Sequence, residues 1–261
     1  MKVSLIITTY NWKEALKIVL ESVKNQTQLP DEVIIADDGS TKDTAELISS
    51  YQKNHSLSLV HSWQPDEGFQ LSKSRNKAIA RASGDYIIMI DGDIVLHPRF
   101  IETHIKASKQ GWFVQAGRAM LNEQQSAHIL KGNQSPHFFT PSLKNRKNAI
   151  CSSIMSVLFS FKRNNDKATR GCNMAFWRDD LIEVNGFNED FIGWGREDSE
   201  FTIRMLNAGK NRLYLKFSGV GYHLYHKESP RELLDHNQKI LDNTVKHHLA
   251  RCDNGLDKYL K

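Results

Sequence analysis

Tyr86-Ile87-Ile88-Met89-Ile90-Asp91-Gly92-Asp93 is the stretch that decides the fold. A short β-prone apolar run bounded by turn residues predicts a buried strand. The run stops at two carboxylates one residue apart, with Gly92 expected to let the backbone turn. In open α/β sheets, ligands bind at the C-terminal ends of strands. Two hard oxygen donors on a tight turn suit a divalent cation that keeps positions open for phosphate oxygens. An isolated Asp-x-Asp reads equally well as a solvated turn, so its neighbours must decide.

Upstream, Val3 to Thr8 reads as a first strand. Asn11 is expected to cap a helix from about Trp12 to Gln26, with Leu16, Val19, Leu20 and Val23 on one buried face. Glu32 to Ala36 reads as a second strand, closing in Asp37-Asp38-Gly39-Ser40. Ser40 is expected to cap a helix running to about Lys53, with Asp43 favoured in its first turn by the helix dipole. Ser58 to His61 reads as a third strand, and a helix from about Leu71 to Ala82 leads back to Tyr86. This β-α-β-α-β order predicts an α/β fold with a mostly parallel sheet and right-handed crossovers. Arg75 shares a helix face with Leu71, Ala78, Ile79 and Ala82. It either reaches into a cleft to meet phosphate or snorkels from the helix edge.

Downstream of Asp93, a helix to Lys109 and a strand around Phe113 to Ala116 are expected. From Leu121 to Lys167 the periodicity dissolves into polar and basic segments such as Gly132-Asn133-Gln134-Ser135-Pro136 and Lys144-Asn145-Arg146-Lys147-Asn148. Long irregular stretches in compact domains are usually functional or disordered. A seam is placed here, dividing residues 1–120 from 121–261 within one continuous domain. Regular structure resumes with a strand from Cys172 to Trp177 and a helix from Arg178 to Val184. A helix from Glu197 to Ala208 stops at Gly209, Leu213 to Phe217 reads as the last strand, and a basic amphipathic helix starts near Pro230.

Composition narrows the class. The 261 residues are 39% hydrophobic and 25% charged, which is ordinary for a soluble globular protein. No run approaches the roughly 18 apolar residues of a membrane span. The N-terminal apolar run is short, β-branched and lacks a small-residue cleavage site, so it reads as a core strand of a cytoplasmic protein. Three widely spaced cysteines, Cys151, Cys172 and Cys252, fit neither a disulfide framework nor a paired-cysteine zinc site. They read as thiols in a reducing compartment. The net charge of +5 suits an anionic partner and does not choose among them. The basic bias is strongest in Lys239, Lys246, His247, His248, Arg251, Lys258 and Lys261, and reads either as docking on an inner membrane face or as a solvated helix covering the fold.

Parallel strands bring Asp38, Asp91 and Asp93 to one edge of the sheet. Thr8-Thr9-Tyr10-Asn11, Asp37-Asp38-Gly39-Ser40 and Asp91-Gly92-Asp93, in that order and spacing, resemble the nucleotide-sugar half of a family-2 glycosyltransferase over roughly residues 1 to 110. The resemblance implies the Rossmann-like fold called GT-A, with helices flanking the sheet. It further implies that Thr8 and Tyr10 line a uracil pocket and that Asp38 hydrogen-bonds the base. Asp91 would lie by the ribose and the metal, and Asp93 would ligate the Mn²⁺ or Mg²⁺ that bridges the diphosphate. Arg75 is grouped with these donor-binding residues.

Gly186-Phe187 through Trp194-Gly195-Arg196-Glu197-Asp198, followed by His223 and His226, resembles the C-terminal region of β-1,4-galactosyltransferases and bacterial chondroitin polymerases. This likeness implies an acceptor-binding subdomain in which Glu197 binds the acceptor sugar, Asp198 is the general base and Trp194 stacks on sugar. Read alone, Glu197-Asp198 is also the acidic first turn that a helix dipole favours. In the galactosyltransferases a Met and a His at the same spacing complete the metal shell. His226 matches that His, and His223 stands in the Met position, which leaves the metal preference open.

Together these features predict an inverting, metal-dependent transfer of sugar from a nucleoside-diphosphate donor, a UDP-sugar first, to a hydroxyl of a glycan or lipid-linked acceptor. Nucleic acid is not expected as a partner. Two other classes stay open at this level. A sugar nucleotidyltransferase shares the sheet and metal carboxylates but needs a Gly-rich basic phosphate loop, which Tyr10-Asn11-Trp12 does not offer. A basic glycan- or polyanion-binding protein would not need Asp38, Asp91, Asp93 and Asp198 on one edge, since carboxylates repel polyanions.

Overall fold

The Tyr86–Asp91 stretch is a strand within a sheet of eight. The computed structural model describes residues 1–54, 57–132, 134–227 and 231–260. Strands β1 (Val3–Thr9), β2 (Glu32–Asp37), β3 (Leu59–Trp63) and β4 (Tyr86–Asp91) are parallel, joined by helices α1 (Lys13–Lys24), α2 (Lys42–Lys53) and α3 (Leu71–Arg81). All of β1 and β2 is buried, as expected of parallel strands covered on both faces. Leu5, Ile7, Ile88 and Ile90 pack with Leu16 and Val19 on one face. Ile6, Ile34, Ile87 and Met89 pack with Ala78, Ile79 and Phe201 on the other. Register places Thr8 beside Asp91 and Thr9 beside Asp37, so the polar ends of the strands are level.

Gly92 is needed for close approach. A Cβ there would lie 2.3 Å from the Thr8 carbonyl oxygen. Beyond it come β5 (Ile94–Leu96), α4 (Phe100–Ala107), β6 (Trp112–Ala116) and β7 (Arg118–Met120). The expected irregular stretch contains two helices, α5 (Glu123–Leu130) and α6 (Ser153–Phe159), and a short edge strand β8 (Phe161–Lys162). A reciprocal Asn122–Gln125 capping box opens α5, and the Ser152 hydroxyl accepts the Met155 N–H to open α6. Asn133, within that stretch, lies outside the described residues.

The sheet is mixed. β9 (Asn173–Trp177) inserts antiparallel between β4 and β6, and the order is β3-β2-β1-β4-β9-β6-β10-β8, with β10 at Asn211–Leu215. Strands from 1–120 and from 121–261 thus interleave in one sheet. β10 is not the last strand: β11 (Gly221–His223) pairs with β5 and β7 in a second, three-stranded sheet. Between β9 and β10 lie α7 (Arg178–Glu183) and α8 (Glu197–Asn207), the latter closed by Gly209 at φ +78°. The C-terminal helix α9 spans Leu234–Lys246; Pro230 and Lys261 lie outside the described residues. It buries Asn237, Leu241 and Thr244, and Thr244 donates to Glu200 of α8 at 3.0 Å.

Two expected caps are replaced. Neither Asn11 nor Ser40 caps a helix by its side chain. Asn11, at φ +47°, accepts the Thr41 N–H on its side chain, while its own N–H donates to the Ser40 hydroxyl. The polar side chains tie the β1 and β2 loops together instead, holding the rim of the cleft.

Candidate active site

Three carboxylates stand where the parallel strands end. Asp38 accepts the Gln64 amide at 2.6 Å and the Gln70 N–H at 2.9 Å. Burial nevertheless pushes its carboxyl up to about 6, with those two bonds opposing. Thr8 donates to Asp91 at 3.3 Å. Tyr10 is half exposed beside them, its hydroxyl donating to Asp66 at 2.9 Å.

The second sheet gathers the metal-type ligands. Asp93 immediately precedes β5, and His223 pairs with Ile94 across β5 and β11, so register alone brings them together. The Leu224 N–H donates to the Asp93 carbonyl at 2.9 Å and extends that pairing. His223 and His226 Nε2 lie 3.3 and 3.2 Å from Asp93 Oδ2. One ligand atom from each of the three residues falls within 4.8 Å of the others. Asp93 Oδ1 and His223 Nδ1 are buried and without a hydrogen-bond partner among the described residues. Burial pushes His223 down to about 4, against the Asp93 charge, so it stays a neutral imidazole. The hydrogen bond to Asp93 holds His226 up to about 8. One carboxylate and two imidazoles with an orphaned oxygen fit a divalent transition metal.

Across the cleft is the acidic turn. Gly193, Gly195 and Arg196 all have positive φ, and the Asn237 amide of α9 donates to the Ile192 and Gly195 carbonyls at 3.1 and 3.0 Å. The C-terminal helix therefore holds this turn in shape. α8 then starts at Glu197-Asp198, and the two side chains diverge. Glu197 faces Arg75 Nη1 at 3.6 Å, while Asp198 accepts the Gly171 N–H at 3.0 Å and the Ser199 N–H at 2.8 Å. Burial, then the Asp198 charge, raises Glu197 to about 7, with Arg75 opposing. Burial also raises Asp198 and Asp91, each opposed first by Arg75. Trp194 is partly exposed, with the Arg231 guanidinium 4.8 Å over its ring.

Arg75 does not snorkel. It is 1% exposed, sits 4.9 Å over the Phe187 ring and approaches Asp91 at 3.4 Å. It is thus a buried cation among three carboxylates. All eleven residues singled out in the sequence line one cleft of about 560 Å³.

Other residues of the cleft carried no such expectation. Arg118, at the start of β7, lies near Cys172, Asp91 and Asp93, which raise it against the effect of burial. Its signal would have been a cation beginning a short strand, which a three-residue strand hides. Gly171 gives its N–H to Asp198 and leaves room for Arg75, since a Cβ there would lie 2.8 Å from Nη2. A glycine directly before a strand was its one visible mark. Behind the turn, Arg204 pairs with Glu200 at 2.7 Å and donates to the Val184 and Gly186 carbonyls, fully buried.

The fold and this edge-of-sheet site define a glycosyltransferase of the GT-A class. The fold is similar to that of S. aureus TarS residues 1–349, solved in complex with UDP. That likeness has a TM-score of 0.64 and 17% identity, and covers 99% of this chain and 68% of the other. It is also similar to GalNAc-T7, solved with UDP, GalNAc and Mn²⁺, with a TM-score of 0.69, 14% identity and coverage of 95% and 49%. Residues 4–168 match glycosyl transferase family 2, and the chain belongs to that family. Residues 153–227 match the family described as the N-terminal domain of galactosyltransferase. The chondroitin synthase of Escherichia coli is 28% identical over 87% of this chain, and the hyaluronan synthase of Pasteurella multocida 27% over 87%. The chain spans about a third of the first (35%) and a quarter of the second (24%). The validoxylamine A glucosyltransferase of Streptomyces hygroscopicus subsp. limoneus is 26% identical over 77% of this chain and 47% of its own length.

Proposed function

We propose that this glycosyltransferase moves a sugar from UDP to a hydroxyl of a glycan or lipid-linked saccharide, with inversion and with Mn²⁺ or Mg²⁺. The observation that carries the reading is the meeting of the Asp93–His223–His226 cluster and the buried Glu197-Asp198 turn in one cleft. In this reading residues 1–120 form the donor half and 121–261 the acceptor half, although His223 and His226 cross that division. Growing polysaccharide chains are among the candidate acceptors, a reading supported by the names of the synthase relatives. A cytoplasmic site of action at the inner membrane face belongs to the same proposal. No helix among the described residues is long and apolar enough to cross a membrane.

On the donor side, Thr8 and Tyr10 border the base pocket, and the Asp38 carboxylate accepts a uracil N–H with lone pairs left free by Gln64 and Gln70. Asp91 borders the ribose, and Arg75 holds it in place. Asp93, His226 and His223 would hold the divalent ion, which when bound supplies positive charge against the departing diphosphate. Arg118 adds a protein cation on the same side.

On the acceptor side, Trp194 and Glu197 position the sugar. Asp198 takes the proton of the attacking hydroxyl. Burial raises its carboxyl above the ordinary aspartate value, opposed first by Arg75 and then by two N–H donors, and a more basic carboxylate is a better general base. Residues 165–169 are pinned by Arg212, which donates to the Asn165 and Lys167 carbonyls and the Thr169 hydroxyl. These bonds tie that wall of the cleft to β10.

The test is to incubate the chain with a panel of UDP-hexoses, with Mn²⁺ or with a chelator, and to follow UDP release with and without oligosaccharide acceptors. Metal-dependent UDP release stimulated by an acceptor is expected. Release from GDP-sugars alone would overturn the base assignment of Asp38, and no release from any donor would overturn the reading.

A further inference from the structure

Helix α6 is built inside out. Ser156 is buried, Ser152 and Ser160 are half-buried at i, i+4 and i+8, and the Ser160 hydroxyl accepts the Lys216 N–H at 3.0 Å. The large apolar side chains face solvent: Ile154 is 76% exposed, Val157 83%, Leu158 71% and Phe159 52%. A surface helix of a globular domain turns its apolar stripe inward. Contiguous exposed apolar surface of this kind marks an interaction site.

The patch continues onto the edge strand. Phe161 is exposed on β8, its ring 5.5 Å from Tyr214, and the Phe159 and Phe217 rings are 5.6 Å apart. Cations lie over these rings: Lys216 over Phe161, Arg163 over Tyr214, and Lys162 and Lys109 over Trp112. Carboxylates are missing from the sequence that builds the patch. Residues 124–165 contain Lys131, Lys144, Arg146, Lys147, Lys162 and Arg163 and no Asp or Glu, and residues 201–227 contain no Asp or Glu either.

An apolar ridge rimmed by aromatic rings and by cations that form no ion pair among the described residues has the composition of a segment that lies in the headgroup zone of an anionic bilayer. We propose that α6 and β8 dock this protein on an anionic lipid surface. Ile154, Val157, Leu158 and Phe159 enter the acyl boundary, and Lys162 and Lys216 meet lipid phosphates from the rim. Charge complementarity selects this occupant. Two copies of the patch would bring like charges face to face. The C-terminal helix α9, whose basic composition suggested this part, instead buries Asn237, Leu241 and Thr244, and Thr244 donates to Glu200 of α8.

The docking surface also has a path to the cleft. From β8 the chain runs through residues 163–168 to Thr169, Arg170 and Gly171, which line it. Residues 165–169 are held by Arg212, and the Gln115 amide donates to the Ala168 carbonyl. The docking surface and the cleft wall are thus joined by a short segment of chain held by these bonds. Delivery of a lipid-linked acceptor there rests on the proposed transfer, whereas docking itself does not.

The experiment is co-sedimentation of the full chain with vesicles of phosphatidylcholine alone and of equal parts phosphatidylcholine and phosphatidylglycerol. Wild type is expected to pellet with the anionic vesicles, less so in high salt, and to stay in solution with the neutral ones. Val157→Asp combined with Leu158→Asp should raise the lipid needed for half-binding roughly tenfold or more. Lys162→Glu should narrow the preference for anionic vesicles. These side chains are exposed, so circular dichroism and UDP affinity serve as controls for folding and for the donor site. Absence of wild-type pelleting, or equal pelleting of the double variant, would overturn the inference. So would a dimer in light scattering that the double variant abolishes while vesicles bind neither protein.

Discussion

Arg75 Nη1 of α3 lies 3.6 Å from Glu197 Oε1 at the start of α8, a buried link between the strand-end side of the cleft and the acidic turn. The same guanidinium reaches Asp91 at 3.4 Å and opposes the effect of burial on Asp91, Glu197 and Asp198. It is the counter-charge that lets these carboxylates share one cleft.

Replacing Arg75 with Met should therefore be severe. Removing one partner of a buried charge cluster costs about 3–5 kcal/mol. The deficit should be largest at neutral pH and shrink in mildly acid buffer, where the stranded carboxylates protonate. Urea denaturation of wild type and Arg75→Met in both buffers checks this, and an equal deficit in the two would argue against the counter-charge role.

Glu197 gives a second pH signature. Its carboxyl is raised from 4.5 to about 7 in the folded state. Between those values the folded protein binds more protons than the unfolded chain, so this group's contribution to stability is present below 4.5 and lost as pH rises through 7. Glu197→Gln lacks that loss. It should gain on wild type across this window, by roughly 1–3 kcal/mol at most, and hold the gain above it. Thermal melts in a pH series would show the two curves crossing or converging toward acid.

Asp38 predicts how the nucleotide binds. Its carboxyl is raised to about 6 by burial, and the ionised form, with no proton on either oxygen, is the stronger acceptor for two protein donors and a base N–H. UDP affinity should weaken as pH falls through 6 and should be lower in Asp38→Ala at every pH. Calorimetric titrations on either side of that value test it, and flat affinity would remove Asp38 from the base pocket.

For Asp198 the expectation is kinetic. Asp198→Asn keeps an oxygen to accept the Gly171 N–H but loses the base, so turnover should drop roughly a hundred- to ten-thousand-fold with UDP affinity unchanged. Near-normal turnover would assign the proton to another group.

Much of this was readable in the chain. Continuous apolar runs such as Leu5 to Ile7 and Ile87 to Ile90 could be accommodated only by strands buried on both faces, and each ended in a polar residue that register then aligned. Asp38, Asp91 and Asp93 were legible because short-range turns carry them. The antiparallel insertion of β9 was not, since strand direction is set by long-range pairing that periodicity does not encode. β5, β7 and β11 are three residues each, too short to show alternation, so Arg118 and the pairing of His223 with Ile94 stayed hidden. α6 was obscured for the opposite reason. Its apolar residues point outward, and the serine spacing that marks its inner face looks like loop composition.

On the proposed function, Asp93, His223 and His226 together make UDP binding depend on a divalent ion. The most direct test is calorimetric binding of UDP with Mn²⁺ and with a chelator, on wild type and Asp93→Ala. Tight binding is expected for wild type with Mn²⁺, with a loss of roughly a hundred-fold or more on chelation or in Asp93→Ala. Equal UDP affinity with and without the metal, or a metal effect that survives in Asp93→Ala, would contradict it.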